Sequence, residues 1–210
     1  NGEINSSQMA AFLALLRAKG ETVDEIVAFA KVMRSKAVKV ETGLEHLVDT
    51  AGTGGDGNST FNISTAAAIV AAGTGARVAK HGNRAASSKS GSADVLEELG
   101  VNVSVDAKGA QKQLEEIGIT FLFAPLYHPA MKSVAPVRKA LQIRTIFNFL
   151  GPLSNPAQVQ FQILGVPARD RVRPFAEVLK RLGLTSAAVV HGEPAMDEVS
   201  PCGKTFVACF

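Results

Sequence analysis

Two apolar stripes with helical spacing open the chain. Met9, Phe12, Leu13 and Leu16 fall on one face of a helix, with Ser6 or Ser7 as the expected N-cap and Gly20 as the stop. Thr22 opens a second helix. Glu25 completes its capping box, and Ile26, Phe29, Ala30 and Met33 form its apolar face. A hairpin this short cannot bury both stripes alone, so it must pack on the rest of the chain or on a second copy.

Beyond Lys39 the period changes, and short strand-like runs alternate with helical patterns. Strands are expected at 47–48, 77–80, 101–105 (from alternating Val101, Val103 and Val105), 119–123, 161–164, 187–190 and 205–210. Helices are expected at 64–72, 93–99, from Asp106 as cap to near Gly118, and at 169–182. Such alternation predicts an α/β fold with a mostly parallel central sheet. The stretch 128–153 breaks the rhythm: it is helical and punctuated by proline, and is expected to join the N-terminal helices. The division that follows is a helical unit at 1–43, completed within 128–153, and an α/β unit at 44–210. A closing strand with nothing after it would present a bare edge, so the chain reads as a segment of a longer protein.

Composition narrows the function classes. Of 210 residues, 46% are hydrophobic and 20% charged, which permits a real core and excludes disorder. A net charge of +3 is too small and too scattered to indicate a nucleic-acid protein, and one Tyr with no Trp leaves little for base stacking. Apolar runs such as 66–72 fall far short of the roughly 18 residues that span a membrane. Cys202 and Cys209 make neither a disulfide framework nor a zinc site, so a cytoplasmic setting is expected.

The chemistry concentrates in three loops at strand ends: 52–57 (GTGGDG), 80–84 (KHGNR) and 87–92 (SSKSGS). Glycines admit backbone N–H groups to an anion, helix N-termini add a favourable dipole, and Ser, Thr and Lys donate further bonds. Three such loops between Gly52 and Ser92 point to a ligand with more than one phosphate. Gly52, Gly54 and Gly57 formally satisfy G-x-G-x-x-G, but the helix starts too late and the next strand ends in Lys80-His81 where a dinucleotide fold places an acid. A Walker loop fails because Asn58-Ser59 stands where Lys-Ser/Thr is required.

Taken together, 52–56 (GTGGD), 60–65 (TFNIST), 80–84 (KHGNR), 92–94 (SAD), 128–131 (HPAM), 135–138 (APVR), 144–148 (RTIFN), 151–153 (GPL) and Asp197-Glu198 resemble the anthranilate phosphoribosyltransferase family across essentially the whole chain. The resemblance implies a segment lacking a first helix and the C-terminal part of the α/β unit. It also implies a nucleoside-phosphorylase-like fold and transfer of phosphoribose from phosphoribosyl pyrophosphate (PRPP) to the amine of anthranilate, in tryptophan synthesis. By the same resemblance, Gly52, Gly55, Asp56, Thr60, Asn62, Ser64, Thr65, Lys80, Asn83, Ser88 and Ser92 would hold PRPP. Gly52, His81, Asn83, His128 and Arg138 would hold anthranilate, with His81, Asn83 and Arg138 orienting it and no side chain acting as nucleophile. Ser64, Asp197 and Glu198 would bind Mg²⁺, as two ions with the pyrophosphate, and the helical unit would form a homodimer.

These roles suit the chemistry. Pyrophosphate leaves as a highly charged anion while the ribose carbon gains cationic character, so cations and N–H donors at the leaving group matter more than a nucleophile. Asp56 stays open: a carboxylate in an anion loop binds metal, pairs with a base or caps a turn. His46 and His191 receive no role. Two other readings share the scaffold, a pyrimidine nucleoside phosphorylase and a non-catalytic nucleic-acid binder. KHGNR and PVR fit the transferase better.

Overall fold

The structure, a computed structural model, describes residues 4–57, 60–85 and 90–210. Helix α1 (Ser6–Lys19) is capped by Asn5, one residue before the expected serines. Asn5 Oδ1 accepts from the Gln8 amide at 2.8 Å and Gln8 Oε1 accepts from the Asn5 amide at 3.3 Å. Neither Ser6 nor Ser7 has a Glu or Gln three residues on, so only Asn5 can close the reciprocal box. Gly20 ends α1, and Thr22 and Glu25 box the start of α2 (Val23–Lys36). The buried faces are narrower than the stripes. Leu13 and Leu16, then Ile26, Val27 and Ala30, are buried, while Phe12 is half exposed and lies beside Phe29.

Strands β1 (Leu47–Gly52), β2 (Arg77–Gly82), β3 (Ile119–Phe123), β4 (Phe161–Gly165), β5 (Ser186–Gly192) and β6 (Thr205–Cys209) form one sheet among the described residues. Its order is β3-β2-β1-β4-β5-β6, parallel except for β6, which runs antiparallel at the edge. Strand β1 runs well past the expected 47–48. Its continuation is Asp49-Thr50, polar residues that bury within the sheet because they find hydrogen-bond partners there.

The expected strand at 101–105 is absent. Of the three valines only Val103 is buried under a helix, against Ala93, Leu96 and Phe121, while Val101 is exposed and Val105 packs on a separate cluster. That helix is α4 (Ser92–Glu98). Helix α3 (Ile63–Gly73) links β1 to β2, and α5 (Ala107–Glu116), capped by Asp106, leads into β3. The expected helix at 169–182 divides into a 3₁₀ turn, Arg169–Arg171, and α9 (Val172–Arg181), with Pro174 tolerated in the first turn.

The proline-punctuated stretch contains α6 (Ala124–Tyr127), a 3₁₀ turn (Pro129–Ser133), α7 (Ala135–Leu141) and α8 (Phe147–Leu150). Helix α1 packs on α7, and α2 packs on both α8 and α9. One apolar cluster therefore runs from Leu13 and Ile26 through Phe149 to Phe175 and Val189. Arg34 on α2 fastens the layers: its guanidinium donates to Leu153 O at 2.7 Å and to Leu182 O at 3.1 Å. No helix among the described residues is long and apolar enough to cross a membrane.

Gly52 at the end of β1 stands level with Gly165 at the end of β4. From these two neighbours the chain departs to opposite sides, toward β2 and toward β5. Such a switch point opens a crevice outside the carboxyl ends of the strands.

Candidate active site

The loop after β1 lies in that crevice. Thr53 N donates to Gly165 O at 3.0 Å, prolonging the ladder, and then Gly54 and Gly55 take φ of +68° and +81°. Two side chains from distant segments fix these glycines. Asp197 Oδ2 accepts from Gly54 N at 2.7 Å, while Arg144 donates to Gly54 O at 2.9 Å and Gly55 O at 3.0 Å. A Cβ on Gly55 would collide with the Arg144 guanidinium, and one on Gly165 would overlap the Asp197 carbonyl. Only glycine at 165 lets the segment between β5 and β6 cross the strand end and deliver Asp197.

That segment gathers negative charge. Asp197 and Glu198 are partly buried, and both carboxyls are pushed up, Glu198 to about 7. Burial is the main cause. Asp197 adds to it for Glu198, and Asp56 adds to it for both. The Ser64 amide, in the first turn of α3, donates to Glu198 and draws it back toward the charged form.

Lys80 lies beneath. Its ammonium donates to Thr50 O at 2.6 Å and Ser64 Oγ at 3.1 Å, and is attracted by Asp49 and Glu198. Burial nonetheless lowers its pKa. Among the described residues no three His, Cys, Asp or Glu side chains could hold a metal ion by themselves. The donor set is nevertheless that of a hard cation: two desolvated, mutually repelling carboxylates and a hydroxyl, which suit Mg²⁺ sharing its shell with phosphate oxygens.

A second row adjoins the first. Thr65 Oγ1 donates to Ser92 Oγ at 2.9 Å and Asn62 Nδ2 donates to Ser90 Oγ at 3.2 Å, which brings the starts of α3 and α4 together. Asn83 is exposed; its carbonyl accepts from Ala93 N and its side chain from Arg84 N. Arg84 pairs with Asp94 and Glu97 of α4, so in the KHGNR run it fastens a helix. Thr60 is exposed, and Ser88 lies outside the described residues.

The histidines form a third, drier group. His81 Nδ1 faces Gly151 O at 3.0 Å and its Nε2 faces His128 Nε2 at 3.2 Å. A carbonyl can only accept, so the proton sits on His81 Nδ1 and His128 Nε2–H donates to His81. Both rings are buried, and both pKa values fall, that of His81 to about 3. Below them Asp49 accepts from His81 N at 3.2 Å and Asn155 Nδ2 at 2.9 Å, and burial raises it to about 6.

Arg138 stands apart. It lies on α7 over the Phe147 ring, 5.8 Å from its centroid, with no hydrogen bond to the other site residues among those described. The structure thus brings Gly52, Gly55, Asp56, Ser64, Lys80, Asp197 and Glu198 into one cluster. Thr65 with Ser92, and His81 with His128, make neighbouring pairs.

Sequence reasoning gave no role to Arg144, Asp49, Thr50 or Asn155. Asp49 carried a signal, an acid inside an apolar strand run. Arg144 belonged to a quoted motif, but its reach to the glycine loop is a tertiary fact.

Comparisons with known proteins agree with one another. Residues 44–210 match the α/β domain of a glycosyl transferase family, and residues 1–37 match the helical bundle domain of such a family. Anthranilate phosphoribosyltransferase of Caldanaerobacter subterraneus subsp. tengcongensis is 53% identical over 208 residues, 99% of this chain and 61% of that protein. Among solved structures, anthranilate phosphoribosyltransferase of Thermus thermophilus superposes with a TM-score of 0.91 at 45% identity, over 99% of this chain and 65% of its own. The Saccharomyces cerevisiae enzyme, in complex with PRPP and Mg, gives 0.91 at 36% identity, over 98% of this chain and 59% of its own. The chain therefore spans about three fifths of the length of the curated relatives it matches.

Proposed function

The chain belongs to this glycosyl transferase family, and on that premise we propose that it is the donor-binding portion of an anthranilate phosphoribosyltransferase. In the reaction the anthranilate amine forms a C–N bond at the anomeric carbon of PRPP. The C–O bond to pyrophosphate breaks, and one amine proton is released. One observation carries the reading: the glycine loop, the first turn of α3 and the acids Asp197 and Glu198 meet at neighbouring strand ends.

In this reading the amides of 55–57, with Thr65 and Ser92, bind pyrophosphate oxygens, while the Gly54 and Ser64 amides hold Asp197 and Glu198. Lys80 props Ser64 from below, and Asn83 and Thr60 line the ribose side. Asp197, Glu198 and Ser64 would hold Mg²⁺, as two ions; the metal supplies charge neutralisation for the leaving pyrophosphate. Asp56 faces the same acids, which favours the metal-side role over that of a simple turn cap. The acceptor would lie on the histidine side, aimed by Asn83 and Arg138. His81, with both ring nitrogens engaged, positions His128 and the Gly151 backbone.

The division into a helical unit and an α/β unit, cytoplasmic residence and a homodimer through the helices belong to the same proposal. Leu15 and Val32, exposed on α1 and α2, support the pairing. The test is formation of fluorescent phosphoribosyl anthranilate at limiting Mg²⁺, by the chain and by a version extended to the length of its relatives. Asp197→Asn with Glu198→Gln is expected to lower turnover about 100-fold or more. Unchanged turnover, or phosphorolysis of thymidine in its place, would overturn the reading.

A further inference from the structure

A cleft of about 230 Å³ lies beside the strand-end cluster, where three arginines from separate segments converge. Arg17 comes from the last turn of α1, Arg144 from the link between α7 and α8, and Arg171 from the 3₁₀ turn after β4. Burial, and then repulsion by Arg17 and Arg171, lower the pKa of the half-buried Arg144 guanidinium, while Asp197 and Asp56 on its loop side draw it back up. Asp170 is the one acid in the lining. Behind Arg171, at 3.9 Å, the fully buried Glu21 carboxylate has no hydrogen-bond partner among the described residues.

The donors outnumber their partners. Arg144 spends one N–H on each of two carbonyls and, among the described residues, keeps three. The Arg17 side chain, in the last turn of α1, has neither an ion pair nor a hydrogen bond among the described residues. A separate observation points into the same place: Thr145 lines the cleft, is 1% exposed, and its hydroxyl has no hydrogen-bond partner among the described residues.

We propose that this cleft is an anion subsite distinct from the strand-end cluster, taking a small oxyanion, a phosphate or carboxylate group, between Arg17, Arg144 and Arg171. Guanidinium forks match both groups in geometry, and an anion there removes the mutual repulsion of the three cations. The cleft is sized for a compact anion instead of a nucleotide. Because Arg144 also holds the Gly54 and Gly55 carbonyls, the occupant steadies the glycine loop, and by linkage a loop ligand favours the occupant. The proposal does not depend on the transferase reading.

Titration of the full chain with inorganic phosphate, and separately with benzoate, tests it by NMR of the arginine Nε–Hε signals. The signals of Arg17, Arg144 and Arg171 are expected to move together to one saturation. Saturation by phosphate alone assigns a phosphate site, and saturation by benzoate assigns a carboxylate one. Arg17→Gln, at an exposed position that leaves the core untouched, is expected to weaken binding roughly tenfold, the worth of one charge-assisted bond, while Arg181→Gln leaves it unchanged. Shifts confined to the amides of 54–57, or an affinity unaltered by Arg17→Gln, overturn the proposal. Turnover is not read, so a failed transferase assay and a failed anion site are separate results.

Discussion

The ends of β1 and β2 lie side by side in the sheet, yet they are built on opposite electrostatic plans. Around the end of β2, His81 is buried with His128, Asn155 and Asp49 of the neighbouring β1 in one hydrogen-bonded chain, and the His81 ring is held neutral. At β1, Asp56, Asp197 and Glu198 repel each other next to a glycine loop, with Lys80 and one helix terminus as partial compensation. The first arrangement needs nothing more to be stable. The second is left short of positive charge, and on that imbalance the proposed cation site rests. Adjacent strands thus carry a closed network and an unbalanced acid cluster, with Lys80 as a charge the two groups share, attracted by Asp49 on one side and Glu198 on the other.

Gly165→Val attacks the junction of the two plans and is expected to do the most damage. The new side chain would displace the Asp197 backbone, costing about 3 kcal/mol or more in urea unfolding and freeing the Gly54 amide. An unmoved urea midpoint would mean that the crossing segment is not held where the contrast requires.

Asn155→Ala tests the closed side. It strips one donor from Asp49 and another from Ala79 O, and should cost about 2–3 kcal/mol. Little loss of stability would show the β2 network to be slack.

pH sharpens the comparison further. The folded pKa of His81 is depressed from 6.5 to about 3, so its contribution is full above 6.5 and is lost as pH falls toward 3. Asp49 is raised from 3.8 to about 6, so its contribution is present below 3.8 and is lost as pH rises through 6. The two oppose each other in the overlap. His81→Gln should therefore shrink the acid-side loss, by up to about 1.4 kcal/mol per pH unit, in urea midpoints compared near pH 7, 5.5 and 4. An unchanged acid limb would remove His81 from the account.

The smallest effect has the opposite sign. Glu198→Gln relieves the acids at β1 and should raise stability, by less than about 1 kcal/mol given solvent screening, while lowering turnover at limiting Mg²⁺. Thermal unfolding of the variant checks the sign, and destabilisation would contradict the excess of negative charge.

The capping boxes, the strand–helix alternation and the glycine loop were legible because each is a local pattern. Thr22 and Glu25 are three residues apart, and the turn they make needs no help from elsewhere. Val101, Val103 and Val105 misled because alternation in sequence does not guarantee a shared face: Val103 is buried beneath α4, Val101 is exposed and Val105 packs elsewhere. Asp49-Thr50 hid most of β1 because polar residues read as a strand's end unless their partners are known. Those partners, Asn155, His81, Ser64 and Lys80, come from segments remote in sequence.

By itself, then, the sequence determined most of the elements, the mostly parallel sheet and the glycine turns of the loop after β1, since backbone propensity and burial period act over a few residues. Which acid reaches Gly54, that Arg144 grips the loop from the far side, that the His81 ring is fully engaged, and that three arginines share a cleft were decided only by the tertiary structure. Charge and hydrogen bonding act through space, and only the folded chain sets the distances over which they operate.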